Sequence, residues 1–171
     1  VFMGSVAEEK HRGTAIMVLS KPVSKAAFVL AKFGAAALLV LFSLIPAHLA
    51  CYIYTKVLFG EAPLVSSLQA TLLFSVYVLY ILGFTVGASA VMKSKIAAGG
   101  VSVGLLILTL LLPALWREPA RFFPGSLTGY PNALLTGTLS LPEALPAVLS
   151  ALILTLFFLG AGIFFFEKQE I

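Results

Sequence analysis

The side chains able to do chemistry are few. Seven glutamates, two histidines and one cysteine stand in the chain, and there is no aspartate. Any mechanism within this chain that needs an aspartate is therefore excluded: an Asp-containing triad, an aspartyl dyad, an EF-hand loop. A lone Cys51 excludes an intrachain disulfide and a cysteine-cluster metal site. His48 and Cys51 are three residues apart and share a helix face. Both types bind soft or borderline metals, but two ligands do not make a site. A histidine hydrogen-bonded to a neighbour is the simpler expectation. The nearest approach to a phosphate-binding loop, residues 87–94, has Met92 where glycine is required. No metal, cofactor or nucleotide site is expected in this chain, and no catalytic residue.

Composition explains the scarcity. Hydrophobic residues make up 60% of the 171 and charged residues 11%, with a mean hydropathy of +1.07. That is too little charge to cover a water-soluble domain, where about 25% is usual, and too much apolar side chain for disorder. The net charge of +4 is scattered between apolar blocks, so nucleic acid is not an expected partner. Four stretches without charge contain 23, 31, 21 and 23 residues, each bounded by Lys, Arg or Glu. A spanning helix needs about 20 apolar residues, and only helices and closed barrels satisfy their backbone in lipid. The expected architecture is all-α, a polytopic transmembrane helix bundle forming a single domain. Its spans fall at residues 26–54, 64–92, 96–116 and 146–166, with an external segment at 117–145. Tyr52, Tyr54, Trp116, Phe122, Phe123 and Tyr130 suit an outer aromatic belt. Ser140-Leu141-Pro142-Glu143 reads as a capping box.

Eight of the eleven basic residues lie on the side of the N-terminal segment and three on the other. The positive-inside rule puts the eight in the cytoplasm. On that side, residues 8–21 begin with Glu8, Glu9, Lys10 and Arg12 and continue with Ile16, Met17 and Leu19, an arrangement suited to a short helix at the membrane surface. Pro22 stops it, and Ser24 is an N-cap for the first span. Residues 1–7 read as the end of an earlier span.

The string Glu9-Lys10-His11-Arg12-Gly13-Thr14, then Leu19-Ser20-Lys21-Pro22-Val23-Ser24 and Lys32, resembles the ABC-2 type permeases. Within them it is most similar to the branch that includes the nitrous-oxide-reductase maturation permease. The closing Phe166-Glu167-Lys168-Gln169-Glu170-Ile171 is similar to that family's aromatic-then-charged tail. The resemblance implies six helices per half-transporter, of which this chain holds the end of the second, a cytoplasmic coupling helix and the last four. It implies a multi-pass protein of a prokaryotic inner membrane and an ATP-driven transporter, an exporter. A second permease subunit, identical or not, and a cytoplasmic ATP-binding cassette ATPase that binds ATP and Mg would complete it. Glu8, Glu9, Arg12, Gly13 and Thr14 become the ATPase-coupling residues. Independently of the resemblance, Lys32, His48, Tyr77 and Tyr80 are the candidates for a substrate path, although snorkelling to the interface is the favoured reading of Lys32 and the tyrosines can equally pair inside the bundle. Gly83/Gly87 and Gly100/Gly104 have the spacing for close helix approach, with packing inside the bundle favoured over a dimer contact. A structural or assembly subunit of a larger membrane complex is the alternative role.

Overall fold

The computed structural model describes residues 6–11, 24–92, 94–115 and 119–169. Among these residues six α-helices follow one another: α1 (Ala7–His11), α2 (Lys25–Phe59), α3 (Leu64–Val91), α4 (Lys95–Leu115), α5 (Tyr130–Leu135) and α6 (Leu141–Glu167). Two 3-10 turns, Pro119–Phe122 and Pro124–Thr128, precede α5. Four helices, α2, α3, α4 and α6, are long and apolar enough to cross a membrane. The chain is an all-α polytopic helix bundle.

Local chemistry sets the helix ends. The Ser24 hydroxyl accepts the Ala27 N–H at 3.1 Å and opens α2; the Ser94 hydroxyl accepts that of Ala97 at 3.1 Å and opens α4. Gly60, at φ 78°, closes α2 by returning its N–H to the Lys56 carbonyl at 3.0 Å, a left-handed cap that glycine adopts without strain. Glu143 reaches back to the Ser140 N–H at 2.8 Å. That cap opens the last span itself, which begins at Leu141, five residues before the boundary expected from charge alone. Likewise α2 runs on to Phe59 rather than 54, and continues through Pro46. At about 1.5 Å per residue its 35 residues exceed the hydrocarbon thickness, so its ends reach into the headgroup layers.

The chain divides into two compact units, and each long helix contributes to both. The first comprises described residues up to Ala37, Leu79–Leu108 and those from Ile153 onward. Its core contains Val6, Phe28, Val29, Val86, Ala90, Leu159 and Phe166. Glycines let two helices meet closely there. A Cβ on Gly87 would lie 2.5 Å from the Phe158 carbonyl oxygen, and one on Gly83 would lie 2.6 Å from the Thr155 methyl. Gly100 and Gly104 are different: among the described residues nothing lies within 4 Å of a Cβ at either, so the expected packing within the bundle is not seen among them.

The second unit comprises Leu38–Val78 and Thr109–Leu152. In it the Thr109 carbonyl oxygen occupies the place a Gly125 Cβ would need, and Leu127 and Leu134 are buried. Burial is inverted relative to a soluble protein. Ser75, Ser89, Ser102, Thr109 and Thr155 are buried, while Leu39, Phe42, Val57, Ile153 and Leu156 are exposed. Small polar groups facing inward and large apolar ones outward suit a lipid solvent.

Candidate functional site

The residues expected to couple the chain to an ATPase begin in α1. Arg12, Gly13 and Thr14 lie outside the described residues, as do 1–5 and 12–23; the site is therefore built on Val6 to His11. A five-residue helix satisfies few of its own N–H groups. Here the first two are taken by a side chain from another element. The Ser89 hydroxyl, in the last turn of α3 and fully buried, accepts the N–H of Val6 at 3.1 Å and of Ala7 at 3.0 Å. Ser89 thus acts as an N-cap supplied from elsewhere, a contact worth about 1 kcal/mol.

Both acidic residues of α1 form ion pairs within the chain. Glu8 accepts from Lys95, at the start of α4, at 3.0 Å. Glu9 pairs with Lys32, in the second turn of α2. Both carboxylates, expected at a contact with an ATPase, tie α1 to the bundle within this chain. The Glu9–Lys32 pair is about 30% exposed on both sides, so solvent screening leaves it about 1 kcal/mol or less. The Lys32 ammonium also sits 5.6 Å from the Phe28 ring centroid, adding a cation–π contact. Lys32, assigned to a substrate path, thus lies beside Glu9 of the coupling segment.

The C-terminal turn is tied into the same unit. Lys25 donates to the Glu167 and Gln169 carbonyls at 3.3 and 2.6 Å, placing a cation at the C-terminus of α6. The Gln169 amide donates to the Val91 carbonyl at 2.9 Å, the last residue of α3. Phe166 is fully buried and stacks with Phe28, ring centroids 6.2 Å apart.

The remaining residues assigned to a substrate path are divided between the two units. Tyr80, in the first unit, is 2% exposed and packs on Phe158 at 6.4 Å. Tyr77, in the second unit, is 7% exposed. His48, also in the second unit, is hydrogen-bonded through Nδ1 to the Thr71 hydroxyl at 2.7 Å, the simpler expectation for it. Cys51 is exposed and free, and no group of three metal-binding side chains occurs among the described residues.

Sequence reasoning missed Ser89 and Gln169 altogether, and counted Lys95 and Lys25 only as topology markers. Ser89 lies in a run of small residues at a helix end, Gly87-Ala88-Ser89-Ala90. A hydroxyl there is a signal for a foreign cap, but nothing local names the amides it will meet.

Comparison with known proteins adds the lineage. The profile of the family described as ABC-2 family transporter protein matches residues 3–120. The uncharacterized transmembrane protein YxlG of Bacillus subtilis (strain 168) is 24% identical over 125 residues, which is 73% of this chain and 48% of that protein. The chain thus spans about half the length of that curated relative. No solved structure matches it.

Proposed function

The chain belongs to the ABC-2 family of transporter proteins, and from that premise we propose that it is a membrane-spanning permease subunit of an ATP-driven exporter, with ATP hydrolysed by a separate cytoplasmic subunit. The motifs around Arg12-Gly13-Thr14 and Pro22-Val23-Ser24 support a kinship with the nitrous-oxide-reductase maturation branch. The proposal gives this chain no ATPase site of its own and pairs it with a second permease subunit.

One observation carries the mechanical half of the reading. α1 is bonded to three different spans at once: to α2 through Lys32, to α3 through Ser89 and to α4 through Lys95. A short element bonded to several helices moves with them as one body. Displacement of α1 by an ATPase that closes on ATP would therefore bias the bundle between two conformations, the differential contacts of the two nucleotide states supplying the free energy.

The test is co-purification of the intact protein followed by ATPase and transport measurements in vesicles. Arg12→Ala and Gly13→Pro should lower transport and uncouple ATP hydrolysis from it, while Lys56→Ala should leave both unchanged. A complex that assembles normally and keeps both rates in the Arg12 and Gly13 variants would refute the coupling role. Purification without any ATPase would refute the permease reading itself.

A further inference from the structure

The second unit holds two adjoining cavities with a shared wall. One, of about 430 Å³, is almost wholly apolar and is lined by Leu41, Leu44, Ile45, Leu49, Leu68 and Leu72. The other, of about 190 Å³, is lined by Tyr52, Thr55 and Ser67 among others. His48 and Thr71 line both. The apolar cavity follows α2 toward its middle, and the smaller one reaches toward the outer end of α2, where Ala62 and Pro63 lie.

Hydrogen-bond accounting gives the smaller cavity a definite character. A hydroxyl has one proton to donate and lone pairs to accept with. Each of the four hydroxyls in its wall faces a backbone carbonyl to which it can donate. Tyr52 donates to Ala62 at 3.4 Å, and Thr55 donates to Cys51 at 2.9 Å. Ser67 donates to Leu64 and Thr71 to Ser67, both at 2.9 Å. With the Thr71 proton assigned to the Ser67 carbonyl, Thr71 meets His48 Nδ1 as acceptor, and the tautomer that matches this assignment carries its hydrogen on Nδ1. That tautomer leaves Nε2 as a lone pair, and Nε2 is buried with no hydrogen-bond partner among the described residues. An unmet buried acceptor is unfavourable by about 1–3 kcal/mol. The wall therefore presents lone pairs, with the Cys51 thiol as its one side-chain donor and a weak one.

We infer that these two cavities form one binding site for a single-tailed amphiphile with a hydrogen-bond-donating head, the head among His48, Thr71, Ser67 and Thr55 and the hydrocarbon tail along Leu41, Ile45 and Leu72. The orientation is that of an outer-leaflet amphiphile, tail toward the bilayer middle, given the side assigned by the basic residues. An apolar groove open within a bilayer is filled by hydrocarbon; the donor-poor cavity at its outer end selects which hydrocarbon. An acceptor-only head, such as an ether or ester, would face lone pairs with lone pairs. The site stands apart from the coupling role, and its test needs neither ATP nor a partner subunit.

The probe is a long-chain primary alcohol carrying a diazirine in its tail, photolysed with the intact protein in phosphatidylcholine nanodiscs. Labelling within residues 38–78 is read by mass spectrometry, with 1-dodecanol or dodecyl methyl ether as competitor. Dodecanol should compete about tenfold better than the ether, the worth of one well-placed hydrogen bond. Thr71→Val should abolish most of that preference and Thr71→Ser should keep it. Ile45→Trp, which fills the tail groove, should lower labelling about tenfold. Equal competition by alcohol and ether in the unmutated protein overturns the inference, because the groove then holds any acyl chain. Labelling unaffected by Ile45→Trp overturns it as well. The alcohol-to-ether comparison needs no substitution, so a variant that fails to fold does not remove the test.

Discussion

The two units of the chain differ in how their polar side chains are used. In the unit that contains α1, several polar groups reach across the sequence, while Thr85 and Ser102 bond back to Ile81 and Ala98 on their own helices. Ser89 bonds residues 82 and 83 positions away, Lys95 bonds Glu8 at 87 positions, and Lys25 bonds the tail at 142 and 144 positions. In the other unit most hydroxyls turn back onto their own helix. Ser43, Thr55, Ser67, Thr71, Ser75 and Ser150 each donate to a carbonyl three or four residues earlier. Such back-bonding satisfies the hydroxyl but fixes no neighbour. The first pattern ties separate elements into one body, which suits the transmission of force. The second leaves space between helices, and both cavities occur there. The chain thus carries a cross-linked unit and a locally satisfied unit.

The largest effect expected is at the closest helix approach in the cross-linked unit. Gly87→Val would drive side-chain atoms into the Phe158 backbone and toward Gly162, whose own Cβ would lie 2.8 Å from the Gly87 Cα. Overpacking of backbone against backbone should destabilise by about 3 kcal/mol. Thermal unfolding in detergent should show a clear fall in Tm. Gly104→Ala, with nothing within 4 Å, is the control and should stay within about 1 kcal/mol. Similar Tm values for the two would break the contrast drawn between these glycine pairs.

Next in size is Ser89→Ala, which orphans the Val6 and Ala7 amides. A loss of about 1–2 kcal/mol is expected, confined to α1. Hydrogen exchange should speed about tenfold or more at those two amides while α3 keeps its protection. Unchanged exchange there would mean that Ser89 does not hold α1.

Removing Glu9 or Lys32 should have a smaller effect, about 1 kcal/mol or less for a part-exposed pair. The sharper measurement is the exchange variant Glu9→Lys with Lys32→Glu. It should recover most of the α1 protection lost by either single change, and equal losses in all three would rule out a direct pair.

The smallest effect belongs to the other unit. Ser43→Ala should alter Tm by the equivalent of about 0.5 kcal/mol or less, since its hydroxyl bonds only the Val40 carbonyl of its own helix. A loss as large as that of Ser89→Ala would erase the distinction between local and cross-linking hydroxyls.

Much of the fold was legible without coordinates. Charge-free blocks located four spans, because desolvating a charge in lipid is costly enough to bound each helix. Ser24 and the Ser140–Glu143 pair announced helix starts, because an N-cap acts on residues two or three positions away. The span ends were less legible: α2 runs past Tyr54 to Phe59 because helix geometry does not stop where hydrocarbon stops. The expected coupling residues were legible only as a segment. Glu8 and Glu9 could be assigned to a cytoplasmic helix, but not to Lys95 and Lys32.

What the sequence by itself determined is the solvent of this protein and the place of four membrane-capable helices. Those follow from hydropathy and charge summed over about 20 residues, a quantity no tertiary contact can reverse. What only the tertiary structure decided is pairing: which buried hydroxyl caps α1, which lysine meets which glutamate, which glycine pair is buried against a helix and which is open. Each depends on residues up to 144 positions apart arriving within about 3 Å. In an apolar chain most helix faces look alike, so the local sequence does not say which face turns inward. The cavity beside His48 is the clearest case. The acceptor-rich wall of the smaller cavity comes from four hydroxyls that each face a nearby carbonyl, and the apolar cavity beside it from how α2 and α3 leave room between Leu41 and Leu72.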